Sequence, residues 1–153
     1  MSIGILTVIV ASVLGVDVVG RTQPADFSGT WVLETSGGKN VEGPAQIMTI
    51  QQTPGEIAVE SAITGTKPIR LMYRLDGVES PNVVGRSNWT STAVWQGPAL
   101  VIRTARVTRG SVGETTINTL ETWTREDERT LVRTTRLLGS QDPKDVRLVF
   151  RRK

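Results

Sequence analysis

The sequence contains neither cysteine nor histidine. Without cysteine the chain can form no disulfide, no thiolate nucleophile and no zinc–thiolate site. Without histidine it lacks the usual general base near neutral pH and the commonest ligand of transition metals. A bound metal would therefore have to be a hard ion held by oxygen atoms. From these absences we expect that the protein is not an enzyme and that it carries no metal and no cofactor.

Charge of one sign is not concentrated anywhere in the chain. The 153 residues carry a formal net charge of +3, and the basic pI near 9.8 comes mainly from arginines that have acidic residues among them. Nucleic-acid-binding proteins usually gather lysine and arginine on one stripe with exposed aromatic residues, and the sequence has no such stripe. The composition indicates one globular domain with a mixed, solvated surface, and we expect no nucleic-acid partner.

Patterns that could support catalysis are weak as well. Ser36 and Lys39 have the Ser-x-x-Lys spacing of serine acyl enzymes, but they stand in a glycine-rich loop without the partner motifs of those enzymes. Two carboxylates can hydrolyse glycosides without histidine, yet nothing in the sequence brings two of them together. The carboxylates available on strand-like segments are Glu56, Glu60, Glu114 and Glu121. We predict no catalytic residue.

The N-terminal segment is almost entirely apolar or small over residues 3–20. An apolar stretch that ends in small residues, here Val18 and Gly20, is typical of a secretory signal peptide. A membrane anchor is the alternative, although Asp17 interrupts a stretch that is barely long enough to span a bilayer. We predict a signal peptide over residues 1–20, a linker over 21–26 and a single domain over 27–153. The protein is expected in the periplasm or outside the cell, with no membrane span in its mature part.

From Phe27 onward the apolar residues recur with a period of two, which indicates β-strands. Turn sequences such as Pro54-Gly55, Asp76-Gly77 and Gly97-Pro98 separate the candidate strands, and proline is absent from their interiors. Short turns without long crossovers predict an all-β, antiparallel up-and-down meander of about nine strands that closes into a barrel. The predicted strands cover residues 30–34, 47–52, 56–63, 69–75, 87–95, 99–107, 115–124, 130–138 and 145–151.

Four motifs along the mature chain carry a resemblance to a known group of proteins. They are Asp-Phe-Ser-Gly-Thr-Trp at 26–31, Tyr-Arg-Leu-Asp-Gly at 73–77, the segment 95–102 and the C-terminal segment 149–153. The chain thus resembles a broad set of uncharacterised secreted bacterial proteins with lipocalin-like, calycin-type β-barrels. The resemblance implies a barrel that binds a small ligand. It also implies that Trp31 packs near a basic residue of the last strand, which would be Arg147 or Arg151.

Avidin-type barrels are a second resemblance. The segments Gly29-Thr30-Trp31, Asn88-Trp89-Thr90 and 118–123 are similar to strands of those proteins. The polar ring that would hold biotin cannot be mapped onto the early loops. Avidin-like binding therefore remains a minor alternative.

One strand places polar and aromatic residues on the same face. Alternation puts Glu121 and Trp123 together, so an inward Trp123 would carry Glu121 into the interior. A buried carboxylate needs a cation beside it. Neighbouring strands offer Arg103 and Arg133, whose guanidinium groups could also bind the carboxylate of a ligand.

These residues define the predicted site. We predict an apolar cavity with a cationic centre for a small hydrophobic or anionic amphipathic ligand. Its candidate lining residues are Trp89, Trp95, Arg103, Glu121, Trp123 and Arg133. Two alternatives stay open: the tryptophans pack the core while the charged residues face solvent, and the protein is a structural or protein-interaction barrel of the cell envelope without a ligand.

Overall fold

The computed structural model describes residues 24–153, so the predicted signal peptide and its cleavage site lie outside the described residues. This range contains β-strands and no helix. Every strand predicted from the sequence is present. The strands are β1 (Gly29–Ser36), β2 (Lys39–Asn40), β3 (Gln46–Gln52), β4 (Glu56–Ile63), β5 (Ile69–Arg74), β6 (Ser80–Val84), β7 (Ser87–Gln96), β8 (Ala99–Gly110), β9 (Gly113–Asp127), β10 (Thr130–Leu138) and β11 (Asp145–Arg152).

All strands belong to one antiparallel sheet in the order β5-β4-β3-β1-β11-β10-β9-β8-β7-β6, with β2 paired to β1 alone. Strands that follow one another in the chain pair with each other, except that β3 pairs with β1 instead of β2 and that β5 and β6 are the two ends of the sheet; β1 also pairs with the last strand, β11. Because the first strand joins the last, the meander curls around one interior and forms a nearly closed barrel. The prediction of an all-β, antiparallel up-and-down barrel is confirmed, with more strands than the nine expected.

The sequence interpretation missed strands β2 and β6. Strand β2 has only two residues, which is too short for an alternating pattern. Strand β6 contains Pro81, and the expectation that proline stays out of strand interiors is wrong here. Proline lacks the N–H that a central strand must donate, but β6 ends the sheet and has only one ladder partner, β7. An edge strand tolerates a proline that a central strand would not.

The barrel has one seam, between β5 and β6, where the described residues form no backbone ladder. Side chains of β6 close the seam instead. Asn82 accepts a hydrogen bond from Met72 N (2.8 Å) and donates one to Met72 O (3.0 Å). Ser80 Oγ accepts a hydrogen bond from Arg74 N (2.8 Å). The carboxamide of Asn82 thus supplies the donor and the acceptor that a neighbouring strand residue would supply.

The N-terminal segment before β1 closes one end of the barrel, which we call the closed end. Gln52 fixes the segment: its Oε1 accepts a hydrogen bond from Phe27 N and its Nε2 donates one to Ala25 O, both 2.9 Å long. The Phe27 ring is fully buried and stacks on Trp95, with centroids 5.6 Å apart, and meets Trp123 edge-on. Aromatic pairs of this kind contribute about 0.5–1.5 kcal/mol each beyond their buried area.

Trp31 is fully buried at the closed end and is in contact with the last strand through Arg152. The Arg152 guanidinium lies 5.1 Å from the centroid of the Trp31 ring and donates a hydrogen bond to Ser28 O. The indole Nε1 of Trp31 donates to Phe27 O at 2.9 Å. Gly29 leaves the room that Arg152 needs, because a Cβ atom there would come within 2.9 Å of the guanidinium.

The basic residue beside Trp31 is therefore Arg152, and the expectation of Arg147 or Arg151 is wrong. Both of these lie on the outer face and are exposed, where Arg147 pairs with Glu126 and Arg151 with Glu34. Trp31 lies directly opposite Arg152 in the β1–β11 ladder. Arg152 is two residues after buried Phe150 and shares its inner face, whereas Arg147 and Arg151 have the opposite parity and face outward.

Replacing Gly29 with alanine is expected to lower the free energy of unfolding by about 1–3 kcal/mol, because the backbone there has φ of +135° and the added Cβ collides with Arg152. Chemical denaturation measures the change. Gly55→Ala is the matched control, since a Cβ at that position meets nothing within 4 Å. Equal stability of the two variants would contradict the role given to Gly29.

Replacing Asn82 with alanine is expected to cost about 1–3 kcal/mol of stability, because it leaves the N–H and C=O of Met72 without their partner. Hydrogen exchange at the Met72 amide should accelerate. Asn88→Ala is the control, because Asn88 is exposed on the neighbouring strand and its change should stay within about 0.5 kcal/mol. Unchanged exchange at Met72 would show that the seam does not depend on Asn82.

Candidate ligand-binding site

The register of β7, β8 and β9 decides which side chains face the interior. Fully buried Ile102 lies opposite Ala93 on β7 and Glu121 on β9. Residues opposite one another in an antiparallel pair lie on the same face, and every second residue shares it. Glu121 therefore faces the interior. On β8, Thr104 and Arg106 follow Ile102 on the inner face toward the end of the barrel away from Phe27, which we call the mouth.

Arg106 forms a pair with Trp89 inside the barrel. Trp89 lies opposite Arg106 in the β7–β8 ladder, and the guanidinium carbon is 5.5 Å from the centroid of the indole ring. The Nε1 atom of Trp89 and the Nε atom of Arg106 are both buried and have no hydrogen-bond partner within residues 24–153. Because buried N–H groups are nearly always paired in folded proteins, these unpaired donors and that of Arg133 Nε leave hydrogen-bonding capacity inside the barrel that a ligand could use.

Glu121 belongs to a second polar group nearer the closed end. Its Oε2 atom accepts a hydrogen bond of 2.8 Å from Trp123 Nε1 and lies 3.9 Å from Arg133 Nε. The Arg133 guanidinium also stands 5.5 Å from the centroid of the Phe150 ring. Side chains of the ion pair are each 20% exposed, so the pair is largely removed from water. Arg133 thus balances the charge of Glu121.

Tyr73 completes the wall around this pair. Its ring stands edge-on to Trp123 with centroids 6.3 Å apart. Burial, and to a lesser degree the charge of Glu121, raise the pKa of the Tyr73 phenol well above its usual value, although Arg133 acts in the opposite direction. The phenol therefore stays neutral at any physiological pH and can act only as a hydrogen-bonding group.

A cavity of about 190 Å³ adjoins these polar groups. It lies against the inner face of three neighbouring strands, β7 to β9. Its lining residues are Trp89, Thr104, Arg106, Ile117, Thr119 and Glu121. The cavity wall contains the Arg106 guanidinium, two threonine hydroxyl groups and the apolar side chain of Ile117. It can therefore hold a small molecule with one acidic group.

Apolar side chains surround the mouth above this cavity. Ile63 and Ile69 on β4 and β5, and Leu137 and Val146 on β10 and β11, follow the inward alternation of their strands. Their exposed fractions lie between 40% and 47%. The interior is thus open to solvent at the mouth and filled at the closed end.

The predicted site residues divide into three groups. Trp89, Glu121 and Arg133 face the interior around the cavity. Trp95 and Trp123 lie toward the closed end, where both pack against Phe27. The prediction that Arg103 faces the interior is wrong: its neighbours Ile102 and Thr104 are buried, and Arg103 is exposed on the outer face.

Arg106 is the functional candidate that sequence reasoning missed. The segment Leu100-Val101-Ile102 is apolar on both faces, so the sequence pattern does not show which of its residues face the interior. The expectation of an inward Arg103 requires one phase of this alternation, whereas Leu100, Ile102 and Thr104, of the other phase, occupy the inner face. The sequence did contain one signal that could have identified Arg106. Trp89 and Arg106 are equally far from the two-residue turn at Gly97 and Pro98, and a tight hairpin places such residues opposite each other.

Other concavities lie outside the barrel interior. One of about 150 Å³ is on the outer face of β3 to β5, one of about 340 Å³ is at the closed end beside Pro24 and Trp95, and two are on the outer face of β7 to β9 beside Arg103. Among residues 24–153, no helix has the length and apolarity to cross a membrane, and no three acidic side chains are placed to share a metal ion.

Comparisons with known proteins identify the fold. No protein-family model matches the sequence, and no curated protein is similar to it at a significant level. Solved structures do match. Secretory abundant heat soluble protein 4 from Ramazzottius varieornatus superposes with a TM-score of 0.61 at 12% identity, covering 82% of this chain and 94% of that protein.

Two ligand-binding proteins match in the same way. The zebrafish ileal bile acid-binding protein complexed with cholic acid gives a TM-score of 0.57 at 13% identity, covering 83% of this chain and 98% of that one. Lipid binding protein 8 of Caenorhabditis elegans, solved without ligand, gives 0.58 at 10% identity, with 83% and 95% covered. At such low identity the similarity concerns the fold alone, and the fold of this chain is a lipocalin- or calycin-like antiparallel β-barrel.

Proposed function

We propose that this protein is an exported binding protein whose barrel holds a small amphipathic anion. The observation that carries the proposal is the Arg106–Trp89 pair: both residues line one interior cavity, and each has a buried N–H group without a partner among the described residues. An anionic oxygen bound in this cavity could accept a hydrogen bond from Arg106. The apolar part of the ligand would lie against Ile117.

The balance of interior charge favours a ligand with a single negative charge. Around the cavity the interior holds two guanidinium groups, those of Arg106 and Arg133, and one carboxylate, that of Glu121. The ion pair between Arg133 and Glu121 accounts for two of these charges. The remaining charge is that of Arg106, which is half-buried and has no counterion among the described residues. A monoanion would neutralise it.

The neighbours of similar fold support a binding role of this general kind. The zebrafish protein was solved with cholic acid, which is itself an amphipathic acid, and the nematode protein is a lipid-binding protein. A barrel with an apolar interior and a few placed polar groups suits ligands of that class.

The second candidate is a structural or protein-interaction barrel without a ligand. The fully buried side chains that fill the closed end, such as Trp31 and Phe150, favour it. The unpaired donors of Trp89 and Arg106 speak against it, because a barrel that serves only as a scaffold gains nothing from leaving them unsatisfied.

Replacing Arg106 with glutamine is expected to weaken octanoate binding about tenfold or more, because a hydrogen bond to a charged group contributes about 1.5–3 kcal/mol. Binding of octanol, which has the same chain and no charge, should change little. Intrinsic tryptophan fluorescence, to which Trp89 beside the Arg106 guanidinium contributes, reports both titrations.

The chain provides a matched control for this measurement. Arg103→Gln removes the same charge from the outer face of the same strand and should leave octanoate affinity unchanged. Arg133→Gln should have an intermediate effect, since it also releases Glu121. Equal affinities for octanoate and octanol, or no binding of either, would contradict the proposal and leave the structural barrel as the better explanation.

Export is the remaining part of the proposal. It rests on the apolar stretch over residues 3–20 that ends in small residues. Expression with the native N-terminus should yield a mature chain that begins near Arg21, and N-terminal sequencing of the exported protein measures this. Intact Met1 in a membrane fraction would instead identify an uncleaved anchor.

A further inference from the structure

The hairpin of β8 and β9, the two longest strands, extends past its neighbours at the mouth. Its ladder continues to Gly110 opposite Gly113, whereas β7 begins opposite Thr108 and β10 ends opposite Asn118. At about 3.4 Å per residue, Val112 in the turn lies about 20 Å along β9 from the last residue paired with β10. The hairpin therefore projects from the mouth beyond both neighbouring strands.

Apolar side chains are exposed on this hairpin and on a second one at the mouth. Val112 stands in the two-residue turn between β8 and β9, and its side chain is fully exposed. Ile63 and Ile69 flank the β4–β5 turn and are 47% and 40% exposed. Single exposed apolar residues are common on proteins, but apolar residues gathered on projecting turns are typical of a surface that meets another one.

Basic residues accompany these apolar side chains on the same side of the mouth. Lys67 lies in the β4–β5 turn, Arg86 in the β6–β7 turn and Arg109 beside the β8–β9 turn, and all three are exposed. The three turns are neighbours, because β5 meets β6 at the seam and β7 pairs with β8. We call these three residues the basic arc. Glu114 pairs with Arg109 at 3.2 Å, whereas Lys67 and Arg86 form no ion pair within residues 24–153.

The charge is different elsewhere on the barrel. At the closed end of the same side, the β5–β6 turn carries Asp76 and Glu79. On the opposite side of the mouth, the described turns hold basic and acidic residues in equal number, namely Lys39, Lys144, Glu42 and Asp142. An uneven distribution of this kind turns the side with the projecting hairpin toward a negatively charged surface.

We propose that this side of the mouth docks on an anionic lipid surface, with Val112 inserted among the lipid chains and the basic arc on the headgroups. An apolar tip beside basic side chains suits the boundary between headgroups and acyl chains, where each finds its own environment. A protein partner would have to supply a fitted pocket for Val112, whereas a bilayer receives an apolar side chain at any lateral position. The inference goes beyond the proposed function and does not depend on a ligand in the cavity.

Co-sedimentation with vesicles tests the docking. The chain from Arg21 onward is used, because the barrel is complete within residues 24–153 and the apolar stretch over residues 3–20 can bind lipid by itself. This chain should bind vesicles of equal parts phosphatidylglycerol and phosphatidylcholine, and added salt should weaken the binding.

Removing charge from the basic arc should weaken the binding. The double substitution Lys67→Gln and Arg86→Gln should lower vesicle affinity about tenfold or more, since each basic residue near an anionic surface contributes a factor of about five. Arg129→Gln with Lys153→Gln is the matched control, because it removes the same net charge from exposed residues at the closed end. The control should bind nearly as well as the unaltered chain, since salt screens the closed end from the docked surface.

Labelling of the hairpin distinguishes insertion from charge attraction alone. The chain has no cysteine, so Val112→Cys provides a unique site for an environment-sensitive fluorophore. Its emission should shift to the blue when the mixed vesicles are added. Val78→Cys is the matched control, because Val78 is 48% exposed in the β5–β6 turn at the closed end, and its label should not shift.

Each of four results would overturn the docking: no binding to the mixed vesicles, equal binding to phosphatidylcholine alone, equal weakening by the closed-end substitutions, or an unshifted label at residue 112 on bound vesicles. The last result, with binding that still requires Lys67 and Arg86, would favour an acidic protein as the partner of the basic arc. None of these results bears on octanoate binding, so the docking and the proposed function stand or fall separately.

Discussion

The fold depends on the contacts of Trp31, which ties together the three parts of the chain that must meet for the barrel to close. Its indole N–H holds the N-terminal segment through Phe27, its own strand pairs with β3 and β11, and its ring carries the guanidinium of Arg152 near the C-terminus. A meander has short-range contacts everywhere except where its ends join. The junction at Trp31 is where the sheet becomes a barrel, and the packed closed end follows from it.

The interior changes in character with distance from that junction. Near Trp31 most side chains are large, apolar and fully buried, with Arg152 on the Trp31 ring as the exception, and Gln52 satisfies the backbone groups of the N-terminal segment. Farther toward the mouth, charged side chains follow on β8 to β10, first as the compensated pair of Glu121 and Arg133 and then as Arg106 on Trp89. The part of the barrel that gives stability and the part suited to binding are thus arranged one above the other.

Strand positions were largely predictable from the sequence, because alternation and turn residues are local properties. Strand β6 was not predicted because it contains Pro81, which only an edge strand tolerates. Which strands lie at an edge depends on the order of the whole sheet and not on the local sequence. The inner face of β8 could not be predicted for a different reason. This strand has apolar residues on both faces, so the alternation does not show which face is inside, and Arg103 was predicted in the position that Arg106 holds. Arg152 was not predicted because the basic residue beside Trp31 was inferred from the resemblance, whereas the alternation of β11 around buried Phe150 places Arg152 on the inner face.

The seam gives the barrel a line along which its circumference can change. Separating any other pair of neighbouring long strands breaks a continuous backbone ladder, whereas widening between β5 and β6 breaks the three hydrogen bonds made by Asn82 and Ser80. Such bonds contribute about 1 kcal/mol each, much less than a backbone ladder of several pairs. The molecule is therefore better described as a rolled sheet fastened along one line than as a closed cylinder. Widening along that line would leave every backbone ladder intact.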